Sequence, residues 1–167
     1  MYIMLTQTSV ESAILTWLKD FVEVPHPNLG NWSPCPFARQ ARLNQSYKIQ
    51  EGTTVIEDGL NLIDKWNNTK EVVIIWYKNI SVDDLVNQTK ELNHIIMPKN
   101  FVALEGHPDL NETINGVDLR FKLCPVVVFQ QLDKLNAAAD QLKSKGYYDH
   151  WDKESLDKIV NFRYNKP

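Results

Sequence analysis

Apolar residues at helical spacing alternate along this chain with short continuous β-branched runs, and the two patterns together predict helices interleaved with buried strands. Val10, Ile14, Leu18 and Phe21 recur with a helical period behind Thr8-Ser9-Val10-Glu11, a capping-box pattern, so a first helix is expected from about Ser9 to Val22. Pro25 and Pro27 forbid its continuation. A short helix from Pro36 to about Leu43 and a short strand over Tyr47 to Gln50 follow. A second capping-box pattern, Thr54 to Glu57, opens a helix to about Asn67 with Ile56, Leu60, Ile63 and Trp66 on its apolar face. The run EVVIIWY, Glu71 to Tyr77, suits a strand buried on both faces. Ser81 and Asp84 cap a helix to about Ile96, and NFVALE, Asn100 to Glu105, is a further strand.

Strand, helix, strand with short connections is a βαβ unit. The predicted fold class is α/β: a small mixed or parallel sheet with a βαβ core, packed by amphipathic helices. A ferredoxin-like sheet with antiparallel pairs is the other arrangement these elements allow. Val128, Leu132, Leu135, Ala139 and Leu142 predict a long helix that begins at Pro125 and stops at Gly146. Tyr147, Tyr148, His150 and Trp151 form an aromatic connector, Asp152 caps a last helix, and the tail NFRYNKP is expected to fray.

Two segments echo one another. His26 to Arg42 reads HPNLGNWSPCPFARQAR, and His107 to Phe129 reads HPDLNETINGVDLRFKLCPVVVF. Each sets His-Pro and Leu ahead of an Asn/Gly loop and closes with Cys-Pro. Proline suits the first position of a helix, which makes Cys35 and Cys124 the expected N-caps of two helices. Helix N-termini stabilise anions, so each thiol is expected to ionise more easily, helped by Arg39 and Arg120 nearby. If both helix heads aim at one hollow, the pocket holds two thiols, two imidazoles and two guanidiniums.

Composition narrows the field. With 167 residues, 43% hydrophobic and 23% charged, the chain reads as one ordinary globular domain over 1–167. No apolar run approaches the roughly 18 residues of a membrane span. The start, MYIMLTQTSVES, lacks the features of a secretory signal, which implies a cytoplasmic protein. A formal charge of −3 without a basic cluster gives no reason to expect nucleic acid. Two cysteines are too few for a disulfide framework and are expected as thiols or ligands. Oligomeric state is left open.

Cys35-Pro36-Phe37-Ala38 after an N-terminal helix, His107-Pro108-Asp109 at a strand end and Pro125 before the next element resemble an uncharacterised bacterial domain family. The resemblance implies the order of elements and the importance of Cys35 and His107. It implies no activity, and the family's pattern has no counterpart of Cys124.

The candidate catalytic residues are Cys35 as nucleophile, His107 as acid/base partner and Glu105 as orienting carboxylate or general base. His26, Arg39, Arg120, Cys124 and Asp109 are the candidate ligand contacts. His26, Cys35, His107 and Cys124 form a chemically suitable set for zinc or iron, but their spacings of nine and seventeen residues fit no standard zinc motif. Each candidate has a plainer reading: a cysteine buried as a small apolar residue, or a histidine bonded to a nearby carbonyl. The expected function is an enzyme acting on a small anionic metabolite. The competing expectation is a non-catalytic module whose aromatic connector near Trp151 meets a protein partner.

Overall fold

A computed structural model describes residues 4–165. In chain order it contains α1 (Gln7–Trp17), α2 (Ala38–Leu43), β1 (Tyr47–Glu51), α3 (Val55–Asp64), β2 (Val72–Trp76) and α4 (Val82–Ile96). Then come β3 (Phe101–Gly106), β4 (Thr113–Ile114), β5 (Val117–Asp118), β6 (Val126–Gln131), α5 (Leu132–Ser144) and α6 (Lys153–Ile159). The fold is α/β, with a mixed four-stranded sheet in the order β1-β2-β6-β3 and a small β4-β5 hairpin. β1 and β2 are parallel neighbours, whereas β6 inserts antiparallel between β2 and β3. The second βαβ unit is therefore split, with its two strands parallel but not adjacent.

That insertion corrects the expected helix at Pro125. Pro125-Val126-Val127-Val128-Phe129 enters a strand, and the helix begins only at Leu132. Val128 happens to lie in phase with the apolar positions of α5, so the helical period extends falsely back into the strand. The β-branched run, which loses side-chain freedom in a helix and packs well on a pleated surface, was the sounder signal. Two caps also differ from expectation. Thr6, not Thr8, closes the first capping box, its hydroxyl accepting from Ser9 N at 3.1 Å while Ser9 Oγ accepts from Thr6 N at 2.9 Å. At α3 the Thr54 side chain makes no cap; Asp58 instead accepts from Thr53 N and Thr54 N at 2.8 and 3.0 Å.

Both faces of the sheet are covered. On one, Val73, Ile75, Ala103, Val127 and Phe129 pack against α3 and α4 through Val55, Leu85, Leu92 and Ile96. On the other, Ile74, Trp76 and Val126 meet Val10 and Ile14 of α1, with Phe121 and Cys124. Each fully buried aliphatic or aromatic side chain contributes about 1.5–3 kcal/mol. Gly59 brings α3 close to α4, since a Cβ there would collide with Leu92.

The edges are closed by amide side chains. Gln7 Nε2 donates to Ile49 O of β1 at 2.7 Å, and Asn93 holds both backbone groups of Ala103 in β3, at 2.9 and 2.8 Å. At those two positions the outward backbone groups are already paired and offer nothing to a further strand. The tail is also more ordered than expected: Asn161–Tyr164 forms a turn of 3₁₀ helix and Arg163 is buried. The readings of the leader and of the tail's end extend over 1–3 and 166–167, which lie outside the described residues. Among the described residues no helix is long and apolar enough to cross a membrane.

Candidate functional site

Four of the residues singled out above lie together where β3 leaves the sheet. Glu105 and Gly106 end the strand, and His107 turns the chain by accepting Leu110 N at its carbonyl, 3.0 Å away. The His107 ring is buried. Its Nδ1 accepts from Asp109 N at 3.0 Å, and its Nε2 lies 2.8 Å from Ile80 O in the connection between β2 and α4. This pattern uses the tautomer with hydrogen on Nε2 and leaves neither nitrogen free. Asp109 stays exposed, with a carboxylate oxygen 4.0 Å from Nδ1. Arg120 ties the loop together: Nη1 donates to Pro108 O at 3.0 Å, while Nε and Nη2 grip the Asp118 carboxylate at 2.9 and 2.8 Å. That grip holds Asp118 well below the usual carboxylate range.

Glu112, marked by no motif or spacing in the chain, completes the cluster. A methyl group on Gly106 would stand 3.7 and 4.0 Å from its two carboxylate oxygens, so Glu112 lies against the last residue of β3. No side-chain hydrogen bond or ion pair compensates it among the described residues. Burial, then the charges of Glu105 and Asp118, push it up to about 7 against the opposing pull of Arg120 and Lys158. Burial also raises Glu105, whose own backbone N–H and Lys158 pull the other way. Like-charge repulsion is mutual, so the two carboxyls titrate as a coupled pair in which Glu105 ionises first and Glu112 then carries the penalty. Glu105 also lines a groove of ≈ 490 Å³ between α4 and the α6 region, whose walls carry Lys90, His94 and Lys158. Such a pair can hold a proton on one carboxyl and receive one on the other near neutral pH.

The remaining candidates lie elsewhere. His26 is half-buried in its own turn, with Nδ1 accepting from Asn28 N at 3.1 Å and its backbone bridged to Trp32. Cys35 sits before a tight turn, and α2 starts at Ala38 rather than Pro36. The expected thiolate is reversed there. The Phe37 and Ala38 amides lower the Cys35 pKa, but burial outweighs them and the result is raised. The residue is nonetheless exposed at the surface. The crowding governs the charge of the thiol, and the exposure governs access to it. Arg39 is exposed, and its neighbour Arg42 takes the bidentate pair with Glu23 at 2.7 and 2.8 Å. Cys124 is buried among Val10, Ile14, Trp76 and Phe121, which pushes its thiol up to about 11.

The two echoing loops do dock, though not as helix heads around a hollow. Asn28 Nδ2 donates to Asn115 O at 3.2 Å and Asn115 Nδ2 to Asn28 O at 2.7 Å, over a small core of Leu29, Ile114 and Val117. Trp151 packs against that core and against Tyr147 and Tyr148, so its ring is turned largely inward. Among the described residues no three His, Cys, Asp or Glu side chains are grouped to hold a metal ion, so His26, Cys35, His107 and Cys124 do not form one centre. Compared with protein-family models, curated proteins and solved structures, the chain matches none.

Proposed function

We propose that this chain is a small cytoplasmic enzyme that relocates a proton on a small anionic metabolite held beside Glu105. Glu105 faces the groove and is the general acid/base. Glu112, behind it, is the positioning residue whose proton sets the charge of the pair. The observation that carries the reading is the juxtaposition of two half-buried carboxyls with no compensating ion pair among the described residues, one of them lining a groove and both raised from their ordinary values. Two free thiols accord with a reducing compartment. The Cys/His version of the chemistry has less support, because both nitrogens of His107 are engaged and the Cys35 thiol is raised.

Side-chain carboxyl NMR across pH 3 to 9 tests the pair. One carboxyl is expected to titrate near 7, and Glu112→Gln is expected to remove that titration while leaving the earlier step, that of Glu105, in place. Two ordinary titrations near 4 would sink the reading and favour the non-catalytic alternative. Stability has a matching sign. A carboxyl raised in the folded state favours folding fully below its unfolded value of about 4.5, and that advantage is lost as pH rises to about 7. Glu112→Gln should therefore match the parent at pH 4 and exceed it at pH 8 by up to about 3 kcal/mol.

A further inference from the structure

The groove itself indicates what it takes, and the inference rests on the reading of Glu105 above. We propose that it binds an amphipathic organic anion: an aromatic or aliphatic body carrying one carboxylate or phosphate head.

Size comes first. A volume of ≈ 490 Å³ lies within the range of small-molecule sites, about 300–1,000 Å³. The floor is apolar, built from Met97 of the turn after α4, Ala103 and Leu104 of β3, and Phe162 of the carboxyl-terminal turn. An extended peptide would need the outward backbone groups of β3, but Asn93 already holds those of Ala103 at 2.9 and 2.8 Å. A compact ligand needs none of them.

Charge comes second. Lys90 of α4 and Lys158 of α6 stand on opposite walls, with His94 one turn beyond Lys90. Lys90 has no ion pair among the described residues. The partner of Lys158 is Glu154 on its own helix, 3.7 Å away and exposed, a weak tie. The acidic members of the lining are Asp157, which accepts from Asn161 at 2.8 Å, and Glu105, the acid/base of the reading above. A single anionic head between the lysines, with its body on Leu104 and Phe162, satisfies both halves and leaves the substrate within reach of Glu105.

The test is a chemical-shift titration of the ¹⁵N-labelled full chain with phenyl phosphate, inorganic phosphate and benzyl alcohol. Phenyl phosphate is expected to bind at least about tenfold more tightly than either half, with shifts centred on Asn93, His94, Leu104 and Phe162. Lys90→Gln and Lys158→Gln, both surface changes, should each weaken it about fivefold. Equal binding of all three probes, shifts centred elsewhere, or indifference to both variants would overturn the inference. The two readings fail separately. Tight phenyl phosphate binding with ordinary carboxyl titrations leaves the groove and removes the acid/base role. A carboxyl titrating near 7 without groove binding removes the ligand class and leaves the pair.

Discussion

The two His-Pro loops start from nearly the same letters and end in different physical situations. In each, the imidazole Nδ1 accepts the backbone amide two residues on, Asn28 N at 3.1 Å in the first and Asp109 N at 3.0 Å in the second. The local motif thus makes the same turn twice. What differs is everything beyond the turn. His26 is half-buried, and its hydrogen bonds stay within its own loop. His107 is buried and reaches across to Ile80 O, pinning the end of β3 to the start of α4. The Cys-Pro pairs diverge in the same way: Cys35 leads into a turn and a six-residue helix, Cys124 into one of the two inner strands of the sheet. Short-range chemistry is set by sequence neighbours, whereas burial and reach are set by what packs on top.

The sharpest way to break that comparison is to remove both rings. His107→Ala should cost about 3 kcal/mol in urea unfolding, because it leaves a cavity and removes the hydrogen-bond partner of Ile80 O. His26→Ala should cost under about 1 kcal/mol, the worth of one exposed turn bond. Equal losses would mean that the two loops are energetically alike after all.

The cysteines give a smaller contrast. Cys124→Ser places a hydroxyl in an apolar cluster and should cost about 1–3 kcal/mol, while Cys35→Ser should fall within about 0.5 kcal/mol. In the native protein a thiol reagent should modify Cys35 and leave Cys124 untouched until denaturant is added, a difference in access that mass spectrometry reads directly.

Smallest is the contact joining the loops. A double-mutant cycle on Asn28→Ala and Asn115→Ala should return a coupling of about 0.5–1 kcal/mol, since two exposed reciprocal hydrogen bonds compete with water. No coupling would show that Leu29, Ile114 and Val117 alone hold the loops together.

Much of the site was visible as letters without being visible as a place. Glu105, His107 and Asp109 could be selected because a strand end followed by a polar loop is a common position for ligands, and Arg120 because it stands four residues before Cys124. Glu112 could not, because its interest arises from lying against Gly106 beside Glu105, and nothing in a seven-residue separation through a loop predicts that approach. Lys90 and Lys158 read as ordinary solvated lysines until α4, β3 and α6 are seen to line one groove.

Elements whose periodicity is local were legible as letters: α1, α4 and α5 from their apolar spacing, β2 and β3 from continuous buried runs, and two His-Pro turns from proline beside an imidazole that accepts the backbone amide two residues on. Tertiary structure alone decided that β6 slots between β2 and β3, that the two cysteines part company, and that two glutamates share one environment. The reason is range. Hydrogen bonds within a turn and the period of a helix are complete within a few residues, whereas strand order, desolvation and the repulsion of like charges depend on groups that only the finished fold brings together.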